Sequence, residues 1–486
     1  MDLNFEGGSL KYFERVCSAV YTCEETTELI VPDAMPDASE VLMADGQTFL
    51  RGKEARPNAL VISGVSEVTV LYRPEDGGIR QLKLEVPFEG ESACAGLKET
   101  DPLTACVHLV SAEARILNSR KLLVRTEVCI LACAWQPKTL RWAKDTADAA
   151  LEVKREKRSL FPVTEVTEKT FDLTDTLPLP AGKPPVGELL CCRAGLQQEA
   201  ADAVGGRLIL RGTAFVSAVY LSVSGELAEA GLRSPWSAVL ELPPEEGETQ
   251  CVFTPALTGC SVTLSDGGLE VDLGGVVQAA VHRRVETEYI ADAYSAQREL
   301  TLETETRTVT VSCSQSEQTD ALTVRLEGSK TPRSLTALFA DCGKPRQERD
   351  LWRVPVTVKA LCTGEGGPML LTGRGEAVCR SLESPVLRIG EVYASVSAAG
   401  AEVRTPVIFS GVQEETAELQ LVTGAALSDA PAEGTSSAAI LLRTLPGDTV
   451  WSLGKRKKLP CSAIRSVNGL GEDEEPTPGT LLLLAK

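Results

Sequence analysis

Apolar and polar residues alternate over long stretches of the chain. The stretch 60–72 is an example, because its apolar side chains share one parity: Leu60, Ile62, Val68, Val70 and Tyr72. A period of two over this length predicts a β-strand with one face in a hydrophobic core. The glycine turn at 76–78 and a second apolar stretch at 82–88 follow it. Strand, glycine-rich turn and strand together predict a hairpin.

The same pattern recurs 148 positions later, in one unbroken register. Three pairs of residues illustrate it: Pro36 and Pro184, Gly64 and Gly212, and Tyr72 and Tyr220. A weaker third copy, offset by 290, runs along one parity from Trp352 to Cys362. Repeats this long predict tandem domains, and short strands joined by turns favour antiparallel sandwiches. We therefore predict a mainly β protein of tandem antiparallel β-sandwich-like repeats.

The pattern changes near the C-terminus. Residues 440–445 predict a short strand, and Asp448 is a natural N-cap for a helix over 449–457. A second helix is expected from Pro460 to Gly469, because proline suits a first helical turn and Asn-Gly closes a helix. Residues 480–484 predict a last strand, which gives a small β-α-α-β domain.

These patterns divide the 486 residues into five parts, in keeping with the three or four domains that the length suggests. The segment before the last domain is rich in small residues, so it is expected to be a flexible linker. The expected parts are β-repeats at 1–145, 150–298 and 299–427, a linker at 428–438, and the β-α-α-β domain at 439–486.

The charge balance narrows the range of partners. The chain carries 49 basic and 68 acidic residues, a formal net charge of -19. A broad negative field repels phosphate backbones and anionic lipids, so we expect neither nucleic-acid nor membrane-surface binding. No apolar run approaches the roughly 20 residues of a membrane span. The N-terminus lacks the pattern of a signal peptide, so a cytoplasmic location is expected.

The residues that usually carry chemistry are sparse. The fifteen cysteines are scattered and include no C-x-x-C pair, which favours free thiols over a disulfide framework or a zinc site. The only histidines, His108 and His282, lie in predicted strands with no catalytic motif around them. We expect no catalytic residues, no metal and no cofactor, and hence no enzyme.

The first repeat resembles the SPOCS domain. The resemblance lies in Val31-Pro32-Asp33-Ala34-Met35-Pro36-Asp37, then Ile62-Ser63-Gly64 leading to Val70-Leu71-Tyr72, then Val86-Pro87-Phe88. The second copy keeps the prolines, the glycine and the tyrosine, but has Pro184-Pro185 where Pro-Asp is expected. The third copy has Val354 and Cys362 in place of the glycine and the tyrosine, so its membership rests on spacing.

The C-terminal domain resembles a LysM domain. The matching motifs are Gly447 to Leu453, Ala463 to Leu470, and Pro478-Gly479 before a strand. In that family a shallow groove binds N-acetylglucosamine polymers. The resemblance implies that the groove residues here are Gly447, Asp448, Thr449, Asn468, Pro478 and Gly479.

Purely structural roles compete with sugar binding at these positions. Asp448 would cap a helix with or without a sugar, and Gly479 would serve a turn. Four acids at 472–475 would lie near the groove, and the basic run at 455–458 would be either a solvated face or a docking site for an acidic protein.

Together, SPOCS-like repeats followed by a LysM domain resemble the coat morphogenetic proteins of endospore-forming bacteria. The resemblance implies a non-enzymatic structural adaptor in the mother-cell cytoplasm at the forespore surface. Its LysM domain would dock the coat-basement ATPase or other coat proteins, and the linker would let that domain reach its partner. The alternative is a cell-wall or cortex protein that binds peptidoglycan or N-acetylglucosamine polymers.

Overall fold

The computed structural model describes residues 5–148, 151–243, 247–327, 332–364, 367–380, 382–397, 400–431 and 439–485. Over these ranges the chain is mainly antiparallel β-structure, with two short helices near the C-terminus. The prediction of a mainly β protein is confirmed.

The first repeat contains six strands: β1 (Phe5–Ile30), β2 (Ala38–Arg56), β3 (Ala59–Pro74), β4 (Arg80–Ala93), β5 (Leu103–Asn118) and β6 (Lys121–Thr146). They form a sheet of order β2-β3-β4 and a ladder of order β1-β6-β5. Both contribute to one hydrophobic cluster, which holds Leu60 and Ile62 of β3 with Leu122 and Ile130 of β6. The alternation predicted for 60–72 therefore faces a core.

The second repeat contains eight strands: β7 (Leu151–Leu160), β8 (Val163–Leu177), β9 (Val186–Val204), β10 (Arg207–Ser222), β11 (Leu227–Glu241), β12 (Thr249–Ser265), β13 (Gly268–Arg283) and β14 (Val285–Ser295). The order β9-β10-β11 matches β2-β3-β4, and β8-β13-β12 matches β1-β6-β5. Here the long outer ladder is interrupted, so that β7 and β14 form a separate pair.

The third repeat also contains eight strands: β15 (Arg298–Arg325), β16 (Ser334–Cys342), β17 (Arg346–Glu348), β18 (Leu351–Gly364), β19 (Gly367–Arg380), β20 (Glu383–Ile389), β21 (Tyr393–Ser397) and β22 (Gly400–Pro431). β18 is central between β16, β17 and β19, as β3 and β10 are in their sheets. Residues 365 and 366, between β18 and β19, lie outside the described residues.

The C-terminal module consists of β23 (Ala439–Arg443), α1 (Val450–Lys457), α2 (Cys461–Asn468) and β24 (Leu481–Ala485). The predicted order β-α-α-β is confirmed. The segment expected to be a linker at 428–438 begins differently, because β22 continues to Pro431 by pairing with Arg298 of β15. Residues 432–438 of that segment lie outside the described residues.

The 148-residue register holds in three dimensions. The Tyr72 hydroxyl donates to the Pro36 carbonyl at 3.0 Å, and the Tyr220 hydroxyl donates to the Pro184 carbonyl at 2.9 Å. Because each tyrosine is buried on a central strand, its bond ties that strand to the chain entering the preceding strand. The first two repeats therefore share the same tyrosine-to-carbonyl hydrogen bond.

The three repeats meet in one shared cluster. The equivalent residues Leu71, Val219 and Leu361 all belong to it and are fully buried. β1 and β8 also pair, at Phe13 and Val163, which joins the outer ladders of the first two repeats into one six-stranded sheet. Each repeat thus has a core of its own and also packs against the other two.

A buried charge network lies where the repeats meet. Arg193 Nε donates to Asp45 Oδ2 at 2.6 Å, and Arg193 Nη1 lies 2.9 Å from Asp341 Oδ1. Lys359 Nζ lies 3.3 Å from Asp45 and 3.4 Å from Asp341. Two positive and two negative charges balance, so each repeat supplies a charge that the others need.

Candidate functional site

The C-terminal module holds the residues that the LysM resemblance singled out. The inner side chains of β23 and β24 pack with Val450, Leu453 and Ile464 of the helices in a separate small core. β23 and β24 pair in antiparallel register, with Arg443 opposite Leu481. The loops that leave β23 and enter β24 therefore lie at the same end of the module.

The sequence predicted Asp448 as the N-cap of α1, and this prediction is wrong. Thr449 is the N-cap, because its hydroxyl accepts from Ser452 N at 3.0 Å while Ser452 Oγ accepts from Thr449 N at 2.9 Å. The Asp448 carboxylate instead accepts from Leu445 N at 2.9 Å and lies 3.3 Å from Arg456 Nη2. Both side chains are occupied by contacts within the module.

Asn468 lies away from these loops, beside β24. Its side-chain oxygen accepts from Leu483 N at 2.7 Å, and its side-chain nitrogen donates to the Leu483 and Ile464 carbonyls at 2.8 Å. The Asn468 amide thus makes the two hydrogen bonds to Leu483 that a neighbouring strand would otherwise make. The next residue, Gly469, ends α2 in the left-handed conformation that the sequence predicted (φ 67°).

Gly447, Pro478 and Gly479 are exposed in the two loops. The loops are joined through Thr444, whose carbonyl accepts from Gly479 N at 2.9 Å and whose hydroxyl donates to the Thr477 carbonyl at 2.6 Å. The structure therefore brings five of the six expected groove residues to one end of the module and places Asn468 elsewhere.

Glu475 is one of the four acids that the sequence placed near the groove, and it lies at this site. Its carboxylate accepts from Val450 N at 2.6 Å, at the first turn of α1, and lies 3.2 Å from Arg465 Nη2. Arg465 Nη1 also donates to the Gly471 carbonyl at 2.6 Å. The acidic segment is therefore folded onto the module, and an anionic side chain occupies the N-terminus of α1.

One face of α1 is docked on the second repeat. The hydroxyl of Tyr294, a buried residue of β14, donates to the Leu459 carbonyl at 2.7 Å, and its ring meets Trp451 edge-on at 5.0 Å between centroids. Trp451 Nε1 donates to Asp292 Oδ2 at 3.0 Å. A side chain at Gly454 would overlap the Tyr294 hydroxyl, so glycine is required at that position.

The basic run on α1 contributes to the same contact. Lys455 Nζ lies 2.6 Å from Asp292 Oδ1, and Lys458 Nζ lies 3.4 Å from Glu299 Oε2. These lysines are paired within the chain rather than left for an acidic external partner. The expectation of a module that reaches outward therefore differs from the structure, in which the module is held against the body.

The two histidines lie in strands, as expected from the sequence. His282 is buried, with Nδ1 3.1 Å from the Phe161 carbonyl and its ring stacked on Phe161. His108 Nε2 lies 3.5 Å from the Gly343 carbonyl. Burial lowers the pKa of both histidines, although the neighbouring carbonyls oppose the shift. Both imidazoles are therefore neutral at pH 7.

All fifteen cysteines are free thiols and are buried or half-buried. Burial raises the pKa of Cys106 to about 12 and that of Cys342 to about 12. Because the thiolate is the reactive form, thiols with such pKa values are weak nucleophiles at neutral pH. Within the described ranges, no three His, Cys, Asp or Glu side chains are grouped to hold a metal ion.

Comparison with known proteins gives no match: no protein-family model, no curated protein and no solved structure is significantly similar to the chain. The resemblances to SPOCS and LysM domains therefore rest on the residues alone and stay predictions. None of the helices in the described part of the chain is long and apolar enough to cross a membrane.

Proposed function

We propose that the chain is a non-enzymatic structural adaptor in spore coat assembly. Three SPOCS-like β-sandwich repeats would form the scaffold, and a LysM-like module would dock the coat-basement ATPase on the forespore surface, in the mother-cell cytoplasm. The observation that carries the proposal is the junction of the repeats, where Leu71, Val219 and Leu361 share one core. A scaffold needs a fixed geometry, and a shared core supplies it.

The charge network at the junction supports the same proposal. Arg193 of the second repeat bridges Asp45 of the first and Asp341 of the third. These side chains meet only when the three repeats are packed in this one arrangement, so the network favours a single relative placement of the repeats. A single placement suits a part that spaces other proteins.

The positions of the ionisable groups support a non-enzymatic role. Both histidines are held neutral and bonded to backbone carbonyls, and the pKa values of buried thiols are raised. A general base or nucleophile needs a pKa near the working pH and access to substrate. These groups fit packing better than catalysis.

Binding to peptidoglycan is the second candidate. It is favoured by the exposure of Gly447, Pro478 and Gly479 in two adjoining loops of the module. It is disfavoured by Glu475, whose carboxylate already binds Val450 N beside those loops. A neutral glycan would have to displace that contact or bind around it.

A two-arm binding experiment separates the candidates. The purified full-length chain is offered insoluble peptidoglycan in one arm and the immobilised coat-basement ATPase in the other. We expect capture by the ATPase and none by the glycan. Pro478→Glu is the control, because it changes an exposed loop of the would-be groove. Retention on peptidoglycan that Pro478→Glu abolishes, with no capture by the ATPase, would contradict the proposal.

A further inference from the structure

The two-stranded sheet of the C-terminal module is apolar on both faces. Its inner face packs on α1 and α2. The outer face carries leucines without such cover: Leu441 is 70% exposed, Leu481 is 61% exposed and Leu483 is 39% exposed. Leu441 and Leu483 are directly opposite each other across the two strands, so these side chains form one continuous surface.

The sequence of β24 is typical of a strand that is buried on both faces. Leu481 to Leu484 are four consecutive leucines. A strand with one solvated face alternates apolar and polar residues, whereas an unbroken apolar run is typical of strands buried on both faces. A sheet that is apolar on both faces requires a packed layer on each, and this one has helices on one side only among the described residues.

A cation lies within this outer face. Arg443 is exposed on β23, opposite Leu481 in the ladder, and makes no ion pair with the described residues. Four other cations of the module are paired within the chain: Lys455, Arg456, Lys458 and Arg465. A free guanidinium amid leucines favours a partner that places a carboxylate there.

The size of the surface indicates what would cover it. A five-residue strand spans about 17 Å, and one α-helix with its side chains is about 10 Å wide. The exposed leucines offer on the order of a few hundred Å². A stable dimer buries about 800 Å² on each partner, so the surface suits a single helix better than a second copy of the chain.

We propose that the outer sheet face, defined by Leu441, Arg443, Leu481 and Leu483, docks one amphipathic α-helix of a partner protein. The helix carries an apolar stripe against the leucines and a flanking carboxylate that pairs with Arg443. This inference rests on the proposed function and names the surface through which the module binds. The docked face of α1 is separate and stays on the second repeat.

The test compares single substitutions in the full-length chain, with affinity for the purified coat-basement ATPase as the readout. Leu441→Glu and Leu481→Glu place a charge on the proposed surface, and we expect each to weaken binding at least about tenfold. Leu264→Glu is the matched control, because Leu264 is a half-exposed leucine of β12 in the body. Unchanged thermal unfolding midpoints verify that each variant is folded.

A second measurement identifies the partner segment. A photo-reactive residue at position 441 is cross-linked to the ATPase, and the attached peptide is sequenced. We expect apolar residues at helical spacing with an acid beside them. Arg443→Glu should weaken binding about tenfold, and reversing the charge of the partner acid should restore it.

The possible failures are distinguishable. If the unaltered chain does not bind the ATPase, the proposed function is wrong and this inference falls with it. If it binds, and Leu441→Glu and Leu481→Glu behave as Leu264→Glu does, the function stands and the outer sheet face is not its docking surface. Cross-links to a second copy, or to a segment without an apolar helical stripe, also overturn the inference.

Discussion

Arg193 holds two carboxylates in the interior of the molecule. Burial raises the pKa of Asp45, but Arg193 and Lys359 outweigh that effect and hold the pKa below its usual value. Burial likewise opposes the charge on Arg193, and Asp341 and Asp45 more than offset it, so its pKa is raised. Asp45 and Arg193 therefore stabilise each other's charged forms, so removing either side chain makes the charge on the other less favourable.

We expect Arg193→Leu to lower the free energy of unfolding by about 3–5 kcal/mol, because it leaves two buried carboxylates with only Lys359. Arg211→Leu is the matched control, since Arg211 forms an exposed pair with Asp202 and should contribute at most about 1 kcal/mol. Urea unfolding of both variants measures the difference. Equal midpoints would show that the network is not important for stability.

The pH dependence of stability follows from the same groups. Asp45 has a lowered pKa, so its stabilising contribution is present above the unfolded value of about 3.9 and is lost as the pH falls through the folded value. The histidines act at higher pH. Their folded pKa values are lowered, so the unfolded state binds protons first as the pH falls below about 6.5. Stability therefore declines on mild acidification.

Replacing His282 isolates this effect. We expect His282→Phe to reduce the loss of stability between pH 7 and pH 5, by at most about 1.4 kcal/mol per pH unit. Phenylalanine can keep the stacking on Phe161 and removes Nε2, which is buried without a hydrogen-bond partner in this structure. Chemical unfolding of both proteins at several pH values checks this. Parallel pH profiles would contradict it.

At the scale of the element, the central strands explain why two glycines occupy equivalent positions. A Cβ at Gly64 would overlap the carbonyl oxygen of Phe49 and the ring of Phe88. At Gly212 it would overlap the carbonyl oxygen of Gln197 and the ring of Trp236, the residues 148 positions further on. An aromatic side chain on the next strand thus lies directly over each glycine.

We expect Gly64→Ala and Gly212→Ala each to destabilise the protein by about 1–3 kcal/mol, because either the ring or the neighbouring strand must move. Gly195→Ala is the control, because Gly195 also lies within a strand but nothing approaches the position of its Cβ within 4 Å. Thermal unfolding of the three variants provides the comparison. A destabilisation by Gly195→Ala as large as the other two would show that strand propensity, not crowding, is responsible.

The elements that the sequence predicted best are those with strict alternation. β3, β10 and β18 lie where the period-two patterns predicted strands. Each has one face in a hydrophobic core, and a shift of one residue would turn that apolar face to solvent. The start of α1 was predicted one residue early. Asp448 and Thr449 are both good N-caps, and the reciprocal bonds between Thr449 and Ser452 decide between them.

Long-range contacts could not be predicted. The salt bridge between Lys455 and Asp292 joins residues far apart in the chain, and neither lies in a pattern that names the other. The same holds for Glu475, whose role at the start of α1 depends on how its loop folds back. For the candidate site, the sequence predicted the two loops and the nearby acids at 472–475, but not that Glu475 is the one that binds at the start of α1.

At the scale of the whole molecule, the docked module is fixed by few side chains. Trp451 and Lys455 both contact Asp292, Tyr294 contacts the Leu459 carbonyl and the Trp451 ring, and Lys458 pairs with Glu299. Since the module has its own small core, these contacts set its position rather than its fold. Docking and folding of the module are therefore separable by mutation.

We expect Asp292→Ala to loosen the docking of the module while leaving the module folded, because the substitution removes the partner of both Lys455 and Trp451. Hydrogen exchange should increase at α1 and at β14 and stay unchanged in the β23–β24 pair. Lys457→Ala is the control, because it alters a neighbouring lysine on α1 without touching Asp292. Unchanged exchange at α1 in Asp292→Ala would show that the contact does not hold the module.

The proposed role at the forespore surface can be tested by imaging a fluorescent fusion of the full-length chain through sporulation of an endospore-forming host. We expect a ring of fluorescence around the forespore that appears as the coat is laid down. A signal that stays diffuse in the mother cell, or expression confined to vegetative growth, would contradict it.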